Sequence, residues 1–210
     1  MDFRDINAYL ANLARLDDPV FREMEEEARR LNFPIIGPAA GRYCYLIGRA
    51  INAHKIFEMG SGFGYSTAWF ARAVRDNGGG MVYHVVWDDD LSRKARRYLT
   101  AAGLEGYVTY TVAEAVETLQ KTPEAFDLIF NDIDKEGYPA SVAAMKSKLR
   151  VGGILLIDNM LWRGRILDPQ DRSTATEGVR RLTQLLHEDP DFVCSIVPIR
   201  DGLLTALRVK

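Results

Sequence analysis

The apolar positions of this chain change rhythm near Lys55. Before that point Val20, Phe21, Met24, Ala28 and Leu31 recur at mostly three- and four-residue spacing, with Glu and Arg between them, which is the period of an amphipathic helix. Asp18-Pro19 supplies its start, a capping carboxylate followed by a proline at the first helical position. The stretch Asn32–Gly41 contains Pro34, Gly37 and Pro38 and predicts a break, with another helix over Arg42–Ile51. The first 50 residues thus read as helices whose apolar faces pack on the rest of the chain.

From Lys55 short apolar runs alternate with helical stretches, the pattern of a parallel sheet with crossover helices, so the expected fold class is α/β. Strands are predicted at Lys55–Met59, Val82–Trp87, Val108–Thr111, Phe126–Asn131 and Gly153–Ile157. The intervening helices begin near Ser66, Leu91, Glu114 and Pro139. Leu91, Ala95, Tyr98, Leu99 and Ala102 form one apolar stripe, and Val142, Ala143, Met145 and Leu149 another. Thr174-Ala-Thr-Glu177 matches a capping box and opens a last helix, buried through Val179, Leu182, Leu185 and Leu186 and ended by Asp189-Pro190. Two final strands, Phe192–Val197 and Leu203–Val209, flank Arg200-Asp-Gly202; so short a connection predicts an antiparallel pair and a sheet mixed at one edge. No repeat, low-complexity segment or linker divides the chain, and residues 1–210 read as one domain.

Composition narrows the function classes more than the fold. The 210 residues carry a formal net charge of -2, without the basic excess of a nucleic-acid binder. Cys44 and Cys194 lie far apart in no CxxC motif and read as small core residues of a reducing compartment. The start MDFRDINAYL lacks the features of a secretory leader, and no apolar run approaches the roughly 20 residues of a membrane span. A cytoplasmic protein, off the membrane, is the expectation.

Three segments carry candidate chemistry. Glu58-Met-Gly60-Ser-Gly62-Phe-Gly64-Tyr-Ser66 follows a predicted strand and opens a predicted helix, at the carboxyl end of the sheet where open α/β proteins bind ligands. It lacks the Lys-Ser/Thr of a P-loop, and its GxGxG spacing differs from the dinucleotide fingerprint. Glu58 would repel a pyrophosphate and suits a cationic or hydroxyl-bearing ligand. The second segment is Asn131-Asp132-Ile-Asp134-Lys135-Glu-Gly-Tyr138 after the fourth strand, and the third Asp158-Asn159-Met-Leu-Trp162 after the fifth. Asp132, Asp158 and Asn159 offer three oxygen ligands to a hard divalent cation such as Mg²⁺. His54, His84 and His187 form no cluster suited to zinc. Acidic strand ends also serve as caps of turns and helices, and Asp134 suits a structural hydrogen bond or salt bridge.

These segments, with Phe126-Asp127, Gly152-Gly153, Leu161-Trp162-x-Gly164 and Pro198-Ile199-x-Asp201-Gly202, resemble the metal-dependent O-methyltransferases of the catechol and caffeoyl-CoA type. The resemblance spans most of the chain from Ile36 to Arg208. It implies a Rossmann-like class I methyltransferase sheet of seven strands with a reversed last strand. It implies S-adenosylmethionine against Gly60, Gly62 and Gly64, with Glu58 and Ser66 at the methionine end and the Ile36-Gly37 backbone closing over it. The family's metal ligands map onto Asp132, Asp158 and Asn159, with Asp132 also beside the cofactor, and its general base onto Lys135. A lysine takes up a proton only as the free amine, so the cation, by acidifying the attacking hydroxyl, carries the larger part of the rate effect. A salt bridge to Asp132, Asp134 or Glu136 is the other reading of Lys135. Trp162 either stacks on the acceptor or forms a wall; Tyr138 either hydrogen-bonds near the metal or pins its helix; Tyr65 reads as scaffold.

Two departures stand out. The carboxylate that the family presents to the ribose hydroxyls falls on Val86, with Asp88 the nearest substitute unless it caps the next helix, and Trp87 then lies against the adenine. Ala113-Glu114 occupies a segment near the adenine where the family often has glycine. The acceptor implied is a small vicinal dihydroxy aromatic, with Arg163 and Arg165 either reading an anionic tail or facing solvent. A homodimer through the N-terminal helices is a further implication. A non-catalytic cofactor-binding protein and a nucleic-acid methyltransferase are the alternatives.

Overall fold

A computed structural model describes residues 3–210, with side chains from Asp5 onward. Three helices come first: α1 (Phe3–Ala14), α2 (Pro19–Leu31) and α3 (Gly37–Ala50). The Asp18 carboxylate accepts from the Val20 amide at 2.9 Å and caps α2, as Asp-Pro predicts. Leu31 leaves the buried face of α2 and is exposed, because the helix ends there on left-handed Asn32. The expectation that the chain stays non-helical to Gly41 is corrected: α3 opens at Gly37, since Pro38 in the first turn lacks only an amide that would have no helical partner.

Seven strands then alternate with helices: β1 (Lys55–Met59), α4 (Tyr65–Asp76), β2 (Met81–Val86), α5 (Asp89–Ala101), β3 (Val108–Val112), α6 (Ala115–Lys121), β4 (Phe126–Asn131), α7 (Tyr138–Lys148), β5 (Leu149–Ile157), α8 (Thr174–Glu188), β6 (Phe192–Val197) and β7 (Leu203–Arg208). They form one sheet in the order β3-β2-β1-β4-β5-β7-β6. β1 to β5 are parallel; β7 runs antiparallel to β5 and β6 and is the reversed strand. The fold is therefore Rossmann-like, with helices on both faces.

Alternation along the strands divides the core. Ile56, Leu128, Phe130 and Leu156 face α2, α3, α4 and α5, meeting Phe21, Met24, Cys44 and Phe70. Phe57, Ile129, Leu155 and Ile157 face α6, α7 and α8, meeting Leu119, Met145, Leu182 and Leu186. Residues of α7 bury Ser141, Ala144 and Met145, so Ala144 takes the core position expected of Ala143, which is exposed. β5 begins at Leu149, earlier than Gly153, because the Gly152-Gly153 pair lets the strand bend closely over Asp127 and remain paired with β4 across an irregular register. The cap of α8 is Ser173 rather than Thr174: its hydroxyl accepts from the Thr176 amide and is itself held by Asp171 at 2.7 Å. Glu177, the expected box partner, pairs with Arg180. Among the described residues no helix is long and apolar enough to cross a membrane.

Candidate active site

β1 lies between β2 and β4, so the strand order reverses direction there, and the carboxyl ends of β1, β2, β4 and β5 open onto one crevice. A cavity of about 1600 Å³ occupies it. Backbone pairing continues past the strand ends and holds the loops together: Ser61 N donates to Val85 O at 3.0 Å, Asp132 N to Met59 O at 2.9 Å and Asp158 N to Asn131 O at 3.1 Å. Gly60 lies in the left-handed region, φ +84°, and a Cβ there would fall 2.6 Å from the Asp132 carbonyl oxygen. That glycine lets the β1 turn touch the acidic loop after β4.

Glu58 sits beneath this turn, fully buried. Its Oε2 accepts from the Thr67 hydroxyl at 2.5 Å, and Oε1 has no partner among the described residues. Burial pushes its carboxyl up to about 7, with the nearby hydroxyls of Ser66, Thr67 and Ser61 favouring the ionised form. Thr67 also meets His84 Nδ1 at 3.0 Å. His84 is buried on β2 in register with Glu58, and burial drives its imidazole down to about 3, so it is neutral. Neither Thr67 nor His84 was expected at the site. The available signal was a histidine inside an otherwise apolar strand next to the strand that carries Glu58.

The acidic loops converge as expected. Asp132, Lys135, Asp158, Asn159 and Trp162 all line the cavity, with Ile36, Gly60, Gly62 and Ser66. Lys135 is buried, donates to Asp132 Oδ1 at 2.8 Å and to the Ile133 carbonyl at 3.0 Å, and lies 4.7 Å from the centre of the Tyr138 ring. Asp158 is 1% exposed; Oδ2 accepts from Arg200 Nη1 at 3.1 Å while Oδ1 has no partner among the described residues. Its carboxyl is raised by burial first and then by the nearby Asp132, with Arg200 opposing. Asn159 has φ +59°, and its amide nitrogen donates to Asp201 Oδ2 at 3.2 Å, leaving the amide oxygen for another ligand. Among the described residues no three His, Cys, Asp or Glu cluster for a metal; the set here is two carboxylates and an amide.

Other expected residues lie elsewhere. Tyr138 is fully buried outside the cavity lining, and its hydroxyl donates to the Asp158 carbonyl at 2.9 Å, which pins the β5 loop onto α7. Gly37, Glu58 and Gly64 also lie outside the lining. Asp88 caps α5 by accepting from Leu91 N at 2.9 Å, and Glu114 caps α6 through Val116 N and Glu117 N. Glu114 and Ala113 still edge the cavity, whereas Asp88 does not. The wall at the end of β2 is apolar, formed by Val85, Val86 and an exposed Trp87. Arg165 is committed to Asp171 at 2.6 Å and lies 5.7 Å from the Trp162 ring centre, while Arg163 is exposed at the cavity rim.

A sheet with this order and this reversed strand, opening its β1 turn onto neighbouring acidic loops, defines a class I methyltransferase. The O-methyltransferase family model matches residues 12–209, and the chain belongs to that family, whose members are S-adenosylmethionine-dependent enzymes acting here on a small acceptor. A catechol O-methyltransferase of Niastella koreensis is 27% identical over 190 residues, covering 88% of this chain and 85% of that protein. The O-methyltransferase of Bacillus cereus, solved in complex with SAH, superposes with a TM-score of 0.87 at 26% identity, covering 98% of this chain and 97% of the other. A methyltransferase from Geobacter sulfurreducens gives 0.83 at 30% identity, over 100% and 98% of the two chains.

Proposed function

We propose that this enzyme methylates one hydroxyl of a small vicinal dihydroxy aromatic, catechol-like acceptor, with a divalent cation held by Asp132, Asp158 and Asn159. One observation carries the reading: Asp158 is buried with one carboxylate oxygen unpartnered among the described residues, in the same cavity as Asp132 and beside the glycine turn. Two carboxylates and an amide oxygen form a donor set that suits a hard cation such as Mg²⁺. The catechol O-methyltransferase among the similar proteins supports the acceptor class.

Bound S-adenosylmethionine supplies an electrophilic methyl on a sulfonium, and a bound divalent cation supplies the charge that makes a neighbouring hydroxyl acidic. Glu58, with its free Oε1, would hold the cofactor's ammonium, and Ser66 and the backbone of Gly60 and Gly62 would orient its methionine end. Lys135, fixed between Asp132 and the Ile133 carbonyl, would take or organise the hydroxyl proton. Trp162 walls the acceptor side. The exposed Tyr9 and Leu13 of α1 and Leu46 of α3 offer the apolar surface for a homodimer, which sedimentation would test.

The deciding experiment is transfer from labelled S-adenosylmethionine to a panel of vicinal dihydroxy aromatics with Mg²⁺ and then with excess chelator. Chelator-sensitive transfer is expected, lost in Asp158→Ala with cofactor binding retained. Transfer that is indifferent to chelator, or unchanged in Asp158→Ala, would sink the metal assignment.

A further inference from the structure

Both carboxylates of the candidate cation site already hold a cation of the chain itself. Lys135 pairs with Asp132 and Arg200 with Asp158, at 2.8 and 3.1 Å. The two pairs differ in how firmly they are held. Lys135 has a second acceptor in the Ile133 carbonyl, lies against the Tyr138 ring and keeps 9% of its side chain exposed. Arg200 reaches Asp158 through one hydrogen bond among the described residues and keeps 35% of its side chain exposed.

Its backbone also departs from the ordinary. Arg200 lies in the connection between β6 and β7 at φ +55°, a region that a side chain with a Cβ enters at a cost. The turn is clamped there: Ile199 N donates to Val197 O at 2.8 Å, Gly202 N to Ile199 O at 2.9 Å and Arg200 N to Asn7 Oδ1 of α1 at 3.2 Å. The chain thus holds an arginine in an unfavourable conformation whose guanidinium ends on the one buried carboxylate of the site.

We infer that Arg200 is a built-in competitor for the cation: it neutralises Asp158 when no metal is bound and swings toward solvent when a divalent cation takes Asp158. The inference rests on the proposed metal site. A buried carboxylate stripped of its partner is strongly unfavourable, so in the metal-free protein the ion pair protects Asp158. A guanidinium stays charged at every working pH, so it cannot share the site by losing a proton and must move. Its long stem and partial exposure provide the way out, which Lys135 lacks. Breaking the pair subtracts from the binding of the metal, and Arg200 therefore sets the metal affinity of this enzyme.

The test is Mn²⁺ affinity, read from the free-ion electron paramagnetic resonance signal, on protein saturated with S-adenosylhomocysteine. The chain is compared with Arg200→Gly, Arg200→Lys and Asp158→Ala, each checked for cofactor affinity by calorimetry. Glycine relieves the backbone, so Arg200→Gly folds. It should bind Mn²⁺ at least about tenfold more tightly than the unaltered chain, since the competing ion pair is gone. Arg200→Lys should fall between them, and Asp158→Ala should lose the ion. Binding to Arg200→Gly alone would also uphold the competition, while showing that the natural chain excludes the metal and that its transfer does not use one. Equal Mn²⁺ affinity in the unaltered chain and Arg200→Gly would overturn the inference and leave the metal site standing. No Mn²⁺ binding in any variant that still binds the cofactor would overturn both.

Discussion

The hydroxyl of Thr67 donates to Glu58 Oε2 at 2.5 Å and meets His84 Nδ1 at 3.0 Å on its other side. A hydroxyl has one proton to donate, so the His84 nitrogen must be the donor, and the order is His84 N–H to Thr67 O–H to carboxylate. The imidazole is kept neutral by burial, so this order holds while Glu58 is ionised. Thr67 therefore fixes the rotamer of Glu58 and leaves Oε1 for a ligand.

Thr67→Val should remove this orientation and weaken S-adenosylhomocysteine binding by about tenfold, the worth of a hydrogen bond to a charged group, with little change in kcat. Calorimetry measures the first, and ¹⁵N resonances should show His84 protonated on Nδ1. Unchanged affinity would mean that Glu58 is held without Thr67.

Glu58 also predicts a pH dependence. Burial lifts its carboxyl from the usual 4.5 to about 7, so the native chain keeps a proton that the unfolded chain has lost. This group's contribution to stability is full below about 4.5 and is lost as pH rises through about 7. Cofactor binding has the opposite slope, because a cationic ammonium beside Glu58 favours the carboxylate. Binding of S-adenosylhomocysteine should tighten as pH rises toward 7 and release a proton. Calorimetry at pH 6.5 in buffers of different ionisation enthalpy detects the release, and Glu58→Gln should abolish it.

Lys135 separates two roles by substitution. Lys135→Ala removes both the amine and its pair with Asp132; Lys135→Arg keeps a cation for Asp132 but cannot accept a proton. If Lys135 is the base, kcat should fall by roughly 10²- to 10⁴-fold in both, and the rising limb of the pH–rate profile should change. Full activity in Lys135→Arg would reduce Lys135 to a counter-charge.

Much of this was legible along the chain. β1 and β4 occupy the spans their apolar runs predict, because strands buried on both faces leave an unmistakable run, and β6, at the sheet edge, does so with only one face packed. The convergence of Asp132, Asp158 and Asn159 follows from their position at strand ends, where sheet topology does the gathering. What stayed hidden depends on backbone torsion and on spare hydrogen-bonding capacity. Ser173 outcompetes Thr174 as a cap because Asp171 holds its hydroxyl. Of two acids near the cofactor loops, Asp88 gives one oxygen and Glu114 both oxygens to helix amides. Arg200 reaches Asp158 from a turn position with positive φ, which no spacing reveals.

The apolar end of β2 gives a gain-of-function prediction. Val86 is buried at the cavity wall, and Asp88 is occupied on α5. Asp88 is thus turned to its helix and lies outside the cavity lining. Val86→Glu should tighten S-adenosylhomocysteine by about tenfold through charged hydrogen bonds, while lowering the melting temperature of the ligand-free protein because a charge is then buried. Affinity that stays level as stability falls would place the ribose away from Val86.

The last prediction concerns a residue that never meets the cavity. Gly178 of α8 packs against the turn that carries Lys135, and a Cβ there would fall 2.1 Å from the Lys135 carbonyl oxygen and 2.9 Å from its carbon. Backbone cannot rotate aside as a flexible side chain can, so Gly178→Ala must push α8 and the Lys135–Gly137 turn apart. Alanine would otherwise favour the helix by about 1 kcal/mol over glycine, so any loss observed belongs to the clash. The displacement acts on the Lys135 amine, whose two acceptors are spaced for its present position. The added Cβ meets Lys135 and Glu136 and not the β1 turn. Gly178→Ala should therefore lower kcat at least about tenfold, as a misplaced catalytic group does, and leave S-adenosylhomocysteine affinity within a factor of about three. Wild-type kcat with only a lowered melting temperature would show that α8 supports the fold without positioning Lys135.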